Sequence, residues 1–247
     1  MDRNYWERIA INYNEEIFDV LANDKNGILK STIKRFASKN KTVIDIGCAI
    51  GKWLPILSHA FKKVHAIDIS QKNLDLSKQN YPELKNIIYN RVNMSNPGAV
   101  ITRCDFAICI NAILTGTLKK RTIFFKNLQK CVKAGGHIML VVPSLESAML
   151  TSIIRQRWNP DKDAKAVVNK QKPLLQLQHF LEGNTSIDSV PHKHYLKEEL
   201  ELLLLNEGFI AEQFQKIEYE WNTEFLNPLK WLKNPKPWDW MVLAKRN

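Results

Sequence analysis

VIDIGCAIGKW, at residues 43–53, is a short apolar strand pattern that runs into a turn bounded by two glycines. Gly47 ends the predicted strand and Gly51 opens the next helix, so the backbone between them turns tightly and lets a ligand approach without a Cβ in the way. Such a turn at the carboxyl end of a first strand is where open α/β sheets bind nucleotides. Asp68 follows Gly47 by 21 positions (68 − 47) and ends the second predicted strand. A carboxylate there can accept hydrogen bonds from both ribose hydroxyls.

Beyond this turn, strand patterns alternate with helical patterns. The predicted strands are residues 42–47, 63–68, 87–92, 104–111 and 136–142. The helix predicted over 119–133 stops at Gly135-Gly136, a typical C-terminal signal. Strands that alternate with helices favour right-handed crossovers and a parallel sheet. We therefore predict a doubly wound α/β core.

Two flanking segments depart from this alternation, and we interpret residues 1–247 as one domain. Residues 1–40 predict a helical N-terminal cap, because apolar side chains recur at spacings of three and four: Trp6, Ile9, Tyr13, Ile17 and Val20. Residues 145–195 predict an inserted helical lid over a substrate, with apolar positions Leu145, Met149, Ile153, Leu174, Leu177, Phe180 and Leu181. A helix at 196–207 and strands at 209–221 and 240–244 complete the predicted fold.

Composition is that of an ordinary globular protein, with 45% hydrophobic and 25% charged residues. No apolar run approaches the roughly 20 residues that cross a bilayer, and the first ten residues lack a secretory signal pattern. The four cysteines form no C-x-x-C pair, so we expect buried thiols in a cytoplasmic protein. The net charge of +11 is spread along the chain, which is compatible with nucleic acid as a partner but does not favour it.

Asp45, inside the first strand, discriminates between two classes of cofactor. A nicotinamide dinucleotide needs backbone amides and a helix N-terminus facing a pyrophosphate, usually through G-x-G-x-x-G. The loop here reads G-x-A-x-G, and a carboxylate beside it suits a cofactor with cationic groups better than a diphosphate. The structural alternatives are that Asp45 binds local backbone amides and that Asp68 caps the following helix.

The order of motifs resembles that of class I SAM-dependent methyltransferases, where SAM is S-adenosyl-L-methionine. DIGCAIG at 45–51 resembles the glycine-rich first motif, with Ala49 in place of the middle glycine, and HAIDIS at 65–70 resembles the second. RVNMS at 91–95, CDFAICINAIL at 104–114 and VKAGGHIMLVVPS at 132–144 resemble the next three. HYLKEELELLLLNEGF at 194–209 resembles the family's last helix.

This resemblance implies a mostly parallel, seven-stranded Rossmann-like sheet with an antiparallel C-terminal hairpin. It implies SAM as cofactor and S-adenosylhomocysteine as product, with Asp68 on the ribose, Ile69 on the adenine and Asn111 at the methionine end. Asn93 and Met94 stand where an acidic residue often contacts the adenine amino group, and the N-terminal helix, with Tyr5, Trp6 and Tyr13, would fold over the cofactor. The implied cofactor residues are Tyr13, Asp45, Gly47, Cys48, Ala49, Gly51, Trp53, Asp68, Ile69, Asn93, Met94 and Asn111.

Missing motifs narrow the class of methyl acceptor. Residues 111–114 read Asn-Ala-Ile-Leu instead of N-P-P-Y, no Pro-Cys pair supplies a cytosine-C5 nucleophile, and no paired acids follow the fourth strand to hold magnesium. We therefore expect a small molecule methylated on O, N or C. The candidate catalytic residues are Glu146, His192, His194 and Tyr195, and histidine is well matched to proton removal near pH 7. No further ligand cluster accompanies the H-x-H spacing, so we predict no metal.

Each candidate also has a structural interpretation: Glu146 as a helix-start acid, the histidines as loop residues, and Tyr195 as a packing aromatic. Two other functions stay open. The acceptor is RNA or a protein that uses the basic surface, or the chain is a non-catalytic methyltransferase-like subunit. The sequence predicts neither the acceptor nor the oligomeric state.

Overall fold

The computed structural model describes residues 3–13, 18–161, 182–187 and 190–247. Its main feature is a seven-stranded sheet in the order β3-β2-β1-β4-β5-β9-β8. The strands are β1 Ser38–Ile46, β2 Phe61–Asp68, β3 Ile87–Arg91, β4 Cys104–Ile110, β5 Val132–Pro143, β8 Phe209–Glu218 and β9 Trp238–Arg246. The first five are parallel, and β9 pairs antiparallel with both β5 and β8. The predicted fold class is confirmed.

The described helices of the core follow the predicted stretches closely. They are α1 Arg3–Ile9, α2 Val20–Asn23, α3 Ile28–Phe36, α4 Leu54–Ala60, α5 Gln71–Asn80, α6 Leu118–Cys131, α7 Leu145–Trp158 and α8 Lys197–Asn206. Ser70 caps α5 through its side chain, which accepts from the Asn73 amide. Such capping satisfies an amide that the helix itself leaves unpaired.

The central strands are buried on both faces, which explains why they read as continuous apolar runs. Neighbouring side chains enter two different clusters: Val43 and Met139 pack on one face of the sheet, and Ile44 and Leu140 pack on the other. The four cysteines are buried and unpaired, as predicted. Among the residues described, no helix is both long and apolar enough to span a bilayer.

The reversed strand β9 brings the end of the chain to the functional edge of the sheet. Asp239 near its start lies opposite Pro143 at the end of β5. The carboxyl ends of the parallel strands and the amino end of β9 therefore meet at one edge. Between β1 and β4 the strand order reverses, and this switch point is where ligands bind in open α/β sheets.

The predicted N-terminal cap is interrupted, and the predicted insertion is only partly helical. Ile9 and Val20 are buried as expected, whereas Ile17 lies outside the described residues. In the insertion, α7 is helical, and the next residues that the structure describes after 161 include a hairpin of β6 (Asn184–Ile187) and β7 (Val190–Lys193). The predicted apolar positions Leu174, Leu177, Phe180 and Leu181 also lie outside the described residues.

Lys193 and Arg121 tie the hairpin to the fold. Lys193 Nζ lies 2.6 Å from a carboxylate oxygen of Glu199 on α8. Arg121 Nη1 donates to the Thr115 carbonyl oxygen at 3.0 Å, in the segment that bridges to His192. Because both cations are buried and paired, they hold the hairpin over the loop that follows β4.

Candidate functional site

The turn after β1 has the geometry that its glycines predict. Gly47 and Gly51 have φ angles of 76° and 87°, in the left-handed region. A Cβ on Gly47 would lie 2.5 Å from Ala112 Cβ, and one on Gly51 would collide with Ser77 Oγ. The amides of Gly47 and Cys48 both donate to the Ile67 carbonyl oxygen, which fixes the turn to β2. Ala49, in place of the usual middle glycine, also has a left-handed φ of 47°.

A cavity of about 810 Å³ opens beside this turn. This volume lies in the upper part of the range for ligand sites. Most of the predicted site residues line it: Tyr13, Asp45, Gly47, Cys48, Ala49, Trp53, Asp68, Ile69, Asn93, Met94, Asn111, His192 and His194. Gly51 is not in the lining, because it shapes the far side of the turn. Glu146 and Tyr195 are not in the lining either.

Asp68 is a buried carboxylate at the end of β2. Its Oδ2 accepts from the Ala49 amide at 2.9 Å, and its Oδ1 accepts from the Ser70 amide at 2.8 Å. Burial raises its pKa, and the hydrogen bonds from Ser70 and Ala49 offset part of that rise. A carboxylate has about four acceptor positions, so these bonds leave capacity for a ligand. Ser70, not Asp68, is the cap of α5.

Asp45 is almost fully buried and lines the same cavity. Its Oδ2 has no hydrogen-bond partner among the described residues, so Asp45 does not bind local amides through that oxygen. Burial, together with the charge of Asp68, raises the pKa of Asp45 to about 8. A buried carboxylate without a partner is costly to folding, and this arrangement is typical of a site that a ligand cation completes.

The wall next to Asp68 combines apolar and amide groups. Ile69 and the buried Met94 line it, and Asn93 orients its side chain by accepting from the Ser95 amide at 2.9 Å. Trp53 is buried below the turn, at the start of α4. Burial and the two nearby aspartates raise the pKa of the Cys48 thiol, so it stays protonated at neutral pH.

The N-terminal segment lies across the cavity. Tyr5, Trp6, Tyr13 and Phe18 all contribute to the lining. Glu7 on α1 accepts from the Gln71 and Lys72 amides at 3.0 and 3.2 Å, at the N-terminus of α5. Lys52 Nζ lies 2.6 Å from an Asp19 oxygen and 5.9 Å from the centre of the Tyr13 ring. These contacts hold the segment against the glycine turn.

The two histidines enter the cavity from the hairpin and the residue that follows it. His192 Nδ1 lies 2.8 Å from the Val190 carbonyl oxygen, so that nitrogen carries a proton. His194 Nδ1 lies 2.8 Å from Thr185 Oγ1. Burial lowers the pKa of His194 to about 4, so its ring is neutral at pH 7.

Glu146 and Tyr195 hold structural positions instead of the predicted catalytic ones. Glu146 accepts from the Lys197 amide at 3.0 Å and from Trp240 Nε1 at 2.9 Å, which binds the start of α7 to the C-terminal region. Burial acts to raise its pKa, but these hydrogen bonds hold it below the ordinary value. Tyr195 is fully buried, and its hydroxyl donates to the Ile113 carbonyl oxygen at 2.9 Å. The alternative structural interpretation fits both residues.

Among the cavity residues that were not predicted, three with ionisable side chains come from the C-terminal region: Tyr219, Glu224 and Asp239. Asp239 Oδ2 accepts from Asn111 Nδ2 at 3.0 Å. This hydrogen bond joins the residue after β4 to the start of β9. Asn111 has a left-handed φ of 48°, and its Oδ1 is buried without a partner among the described residues. The signal that was available was an acid between two tryptophans, at the start of an apolar strand.

This fold and this site together define a Rossmann-like methyltransferase architecture. The methyltransferase-domain family matches residues 19–213, which is more than half of the chain, and the protein belongs to this family. The resemblance drawn from the motifs is therefore confirmed. No curated protein sequence matches the chain at a significant level.

Solved structures show the same fold at low sequence identity. A SAM-dependent methyltransferase from Methanosarcina mazei is 19% identical with a TM-score of 0.61, covering 87% of this chain and 96% of that one. The N-methyltransferase NodS from Bradyrhizobium japonicum, in complex with S-adenosylhomocysteine, is 11% identical with a TM-score of 0.63, covering 99% and 97%. Magnesium protoporphyrin IX methyltransferase from Synechocystis is 12% identical with a TM-score of 0.59, covering 99% and 98%.

Proposed function

We propose that this chain transfers the methyl group of SAM to a small-molecule acceptor. The observation that carries the proposal is the buried Asp45 carboxylate, which has an oxygen without a partner, beside a glycine turn in a large cavity. A cationic cofactor supplies the missing partner and favours the ionised form of Asp45, whereas a diphosphate has no positive charge to pair with that carboxylate. The solved relatives that carry S-adenosylhomocysteine add support from the fold.

The residues present fit SAM part by part. The ribose hydroxyls would be held by Asp68, and the adenine would lie between Ile69 and Met94. The orphaned oxygens of Asp45 and Asn111 are both acceptors, which matches the ammonium group at the methionine end. Gly47 leaves room where a side chain would collide with Ala112. When bound, SAM supplies an electrophilic methyl group on a sulfonium.

The chain's own contribution to such a reaction is positioning and exclusion of water. Methyl transfer needs the nucleophile in line with the methyl group and the sulfur, and correct alignment supplies much of the rate. The segment with Tyr13 and Phe18 would shield the cofactor from water. The neutral His194 would accept a hydrogen bond from an acceptor group, and His192 lines the same cavity.

The acids in the cavity wall that the C-terminal region forms support a small molecule, and not RNA, as the methyl acceptor. Glu224 and Asp239 line the cavity there, so a phosphate backbone that entered it would meet two carboxylates. The buried, unpaired cysteines also support the expectation of a cytoplasmic, reducing environment.

Calorimetric titration with SAM and with S-adenosylhomocysteine tests the proposal. We expect saturable binding of both, and we expect Asp68→Ala to weaken it roughly tenfold to hundredfold, because hydrogen bonds to a buried carboxylate are lost. Asp75→Ala is the matched control, because Asp75 is an exposed acid on the adjoining helix and should leave binding unchanged.

If the wild-type chain binds neither ligand, the enzymatic proposal is wrong and a non-catalytic methyltransferase-like subunit is favoured. Equal affinities of the wild type and Asp68→Ala would contradict the assigned ribose contact.

A further inference from the structure

The cavity wall formed by the C-terminal region carries two acids apart from Asp45 and Asp68: the buried Asp239 and the half-buried Glu224. Asp239 is 8% exposed and is held by Asn111 at the switch point of the sheet. Glu224, just after the turn Trp221–Thr223, lies close enough to Asp239 that the two charges interact. Both side chains face the same cavity.

Neither of these two carboxyl groups forms an ion pair among the described residues. Burial raises the pKa of Asp239. Burial, and more weakly the charge of Asp239, also raises the pKa of Glu224, while Arg155 lowers it. The Arg155 guanidinium is engaged by the Glu224 backbone carbonyl oxygen at 3.1 Å and by the Phe225 ring at 5.3 Å. A cationic ligand would relieve the repulsion between the acids.

Aromatic groups accompany these acids. Tyr219 is 6% exposed and meets Phe18 edge to face, with ring centroids 4.3 Å apart, and both line the cavity. The Tyr219 hydroxyl interacts with Asp239 but makes no hydrogen bond of good geometry among the described residues. This buried hydroxyl, which lines the cavity beside Asp239 and lacks a hydrogen bond of good geometry, is a second sign of a ligand next to the acids. Carboxylates together with aromatic rings are the groups that recognise ammonium ions.

We propose that the methyl acceptor is an amine, bound as its ammonium ion by Asp239 and Glu224 and against Tyr219 and Phe18. This assignment rests on the proposed function and names the substrate class. Phenolates and carboxylates would meet the same two acids and be repelled.

The proton balance of the reaction gives Asp239 a role. The bound ammonium transfers one proton to the Asp239 carboxylate, which frees the nitrogen lone pair. That pair forms the new nitrogen–carbon bond to the methyl group, and the carbon–sulfur bond breaks with its electrons on sulfur. The products are the methylated ammonium ion and the neutral thioether S-adenosylhomocysteine. Asp239 then returns its proton to solvent.

Three soluble probes of similar size test the charge preference: benzylamine, benzyl alcohol and benzoate. Calorimetric titration into the protein saturated with S-adenosylhomocysteine should show benzylamine binding roughly tenfold or more tighter than benzyl alcohol, with benzoate weakest. With SAM in place of the product, mass spectrometry should detect N-methylbenzylamine.

The matched variants are Asp239→Asn, Glu224→Gln and the control Glu218→Gln, an exposed acid at the end of β8. The first two should each weaken benzylamine binding about tenfold or more. The control should not, and Glu224→Gln and Glu218→Gln should bind S-adenosylhomocysteine like the wild type.

Equal affinity for benzylamine and benzyl alcohol, a preference for benzoate, or unchanged benzylamine binding in Asp239→Asn and Glu224→Gln overturns the amine assignment. Absence of S-adenosylhomocysteine binding in the wild type overturns the proposed function itself, so the two failures are distinguishable.

Discussion

At the scale of single residues, the turn after β1 leaves no room for a side chain at Gly47. Gly47 and Gly135 have nearly equal φ angles, 76° and 72°, but only a side chain at Gly47 would meet a neighbour. Substitution of these two glycines therefore distinguishes the free-energy cost of a side chain in the left-handed region from the additional cost of a steric overlap.

We expect Gly135→Ala to lower the free energy of unfolding by about 1 kcal/mol, because a Cβ in the left-handed region is strained. Gly47→Ala should cost a further ~1–3 kcal/mol, because its Cβ would overlap Ala112. Denaturant unfolding of both variants measures the difference. Equal losses in the two variants would show that the turn relaxes freely around Ala112.

Asp45 should be a residue at which function opposes stability. Its pKa of about 8 in the folded protein lies above the unfolded value of about 3.9, so the folded state binds more protons between these limits. Its contribution to stability is therefore present below pH ~4 and lost as the pH rises through 8. Asp45→Asn should gain stability over wild type across this window while losing SAM affinity. Melting curves at pH 5 and 8.5, with SAM titrations beside them, check both parts.

The same carboxylate predicts a proton release when SAM binds. A cation beside Asp45 favours its ionised form, so at pH 6.5, where an α-ammonium group is almost fully charged, binding should release close to one proton. Titrations in buffers with different enthalpies of ionisation give the number. Asp45→Asn should abolish the release, and an unchanged release in that variant would assign it to another group.

Sequence reasoning found the residues that lie within one local pattern and missed those that long-range pairing brings in. Asp45, Gly47 and Asp68 follow from strand ends and their spacing. Asp239 required knowing that β9 starts at Trp238, two residues before the predicted start, and that it runs antiparallel to β5. Glu146 and Tyr195 were misjudged because only the packed structure shows their partners in Lys197, Trp240 and Ile113.

At the scale of elements, the predicted helices and strands are mostly right and the hairpin β6–β7 was missed. The parallel strands and α5 have strong periodicity, so their positions could be read directly. The hairpin strands NTSI and VPHK have little alternation, and Pro191 further weakens a strand pattern. Their conformation comes from docking onto the loop after β4, through Thr115 and Leu114.

The docking of α1 on α5 depends on Glu7. Its carboxylate binds two amides at the positive end of α5, whereas its ion pair with Arg3 is largely exposed on the arginine side. We expect Glu7→Ala to weaken SAM binding several-fold, because the cap segment loosens over the cavity, with little change in melting temperature. Arg3→Ala is the control and should have almost no effect, since exposed pairs contribute ~0–1 kcal/mol. Similar affinities in both variants and the wild type would mean that the cap does not shield the cofactor.

At the scale of the whole molecule, the surface and the cavity have opposite character. The chain carries a net charge of +11, whereas the cavity is lined by one lysine, Lys52, and five acids: Asp19, Asp45, Asp68, Glu224 and Asp239. Surface charges are screened beyond about 10 Å at ordinary ionic strength, and buried ones much less. The two regions should therefore respond differently to salt.

We expect SAM affinity to change less than about twofold between 50 and 500 mM salt, because its ion partners are buried. Binding of an oligouridylate to the basic surface should fall steeply, by orders of magnitude, over the same range. Fluorescence anisotropy and calorimetry measure the two. If the oligouridylate also competes with benzylamine at low salt, that result would favour RNA as the methyl acceptor.

Because β9 runs antiparallel to β5, the residues at the two ends of the chain's fold contribute to the cavity from different parts of the sequence. The family match ends at residue 213, before Tyr219, Glu224 and Asp239, while the turn after β1 lies well inside it. Since the final strand is antiparallel, these three side chains lie at the carboxyl ends of the parallel strands although they come from a short segment near the end of the chain. We expect that exchanging residues 219–239 between relatives changes the choice of acceptor and affects the cofactor site only through the hydrogen bond from Asn111 to Asp239.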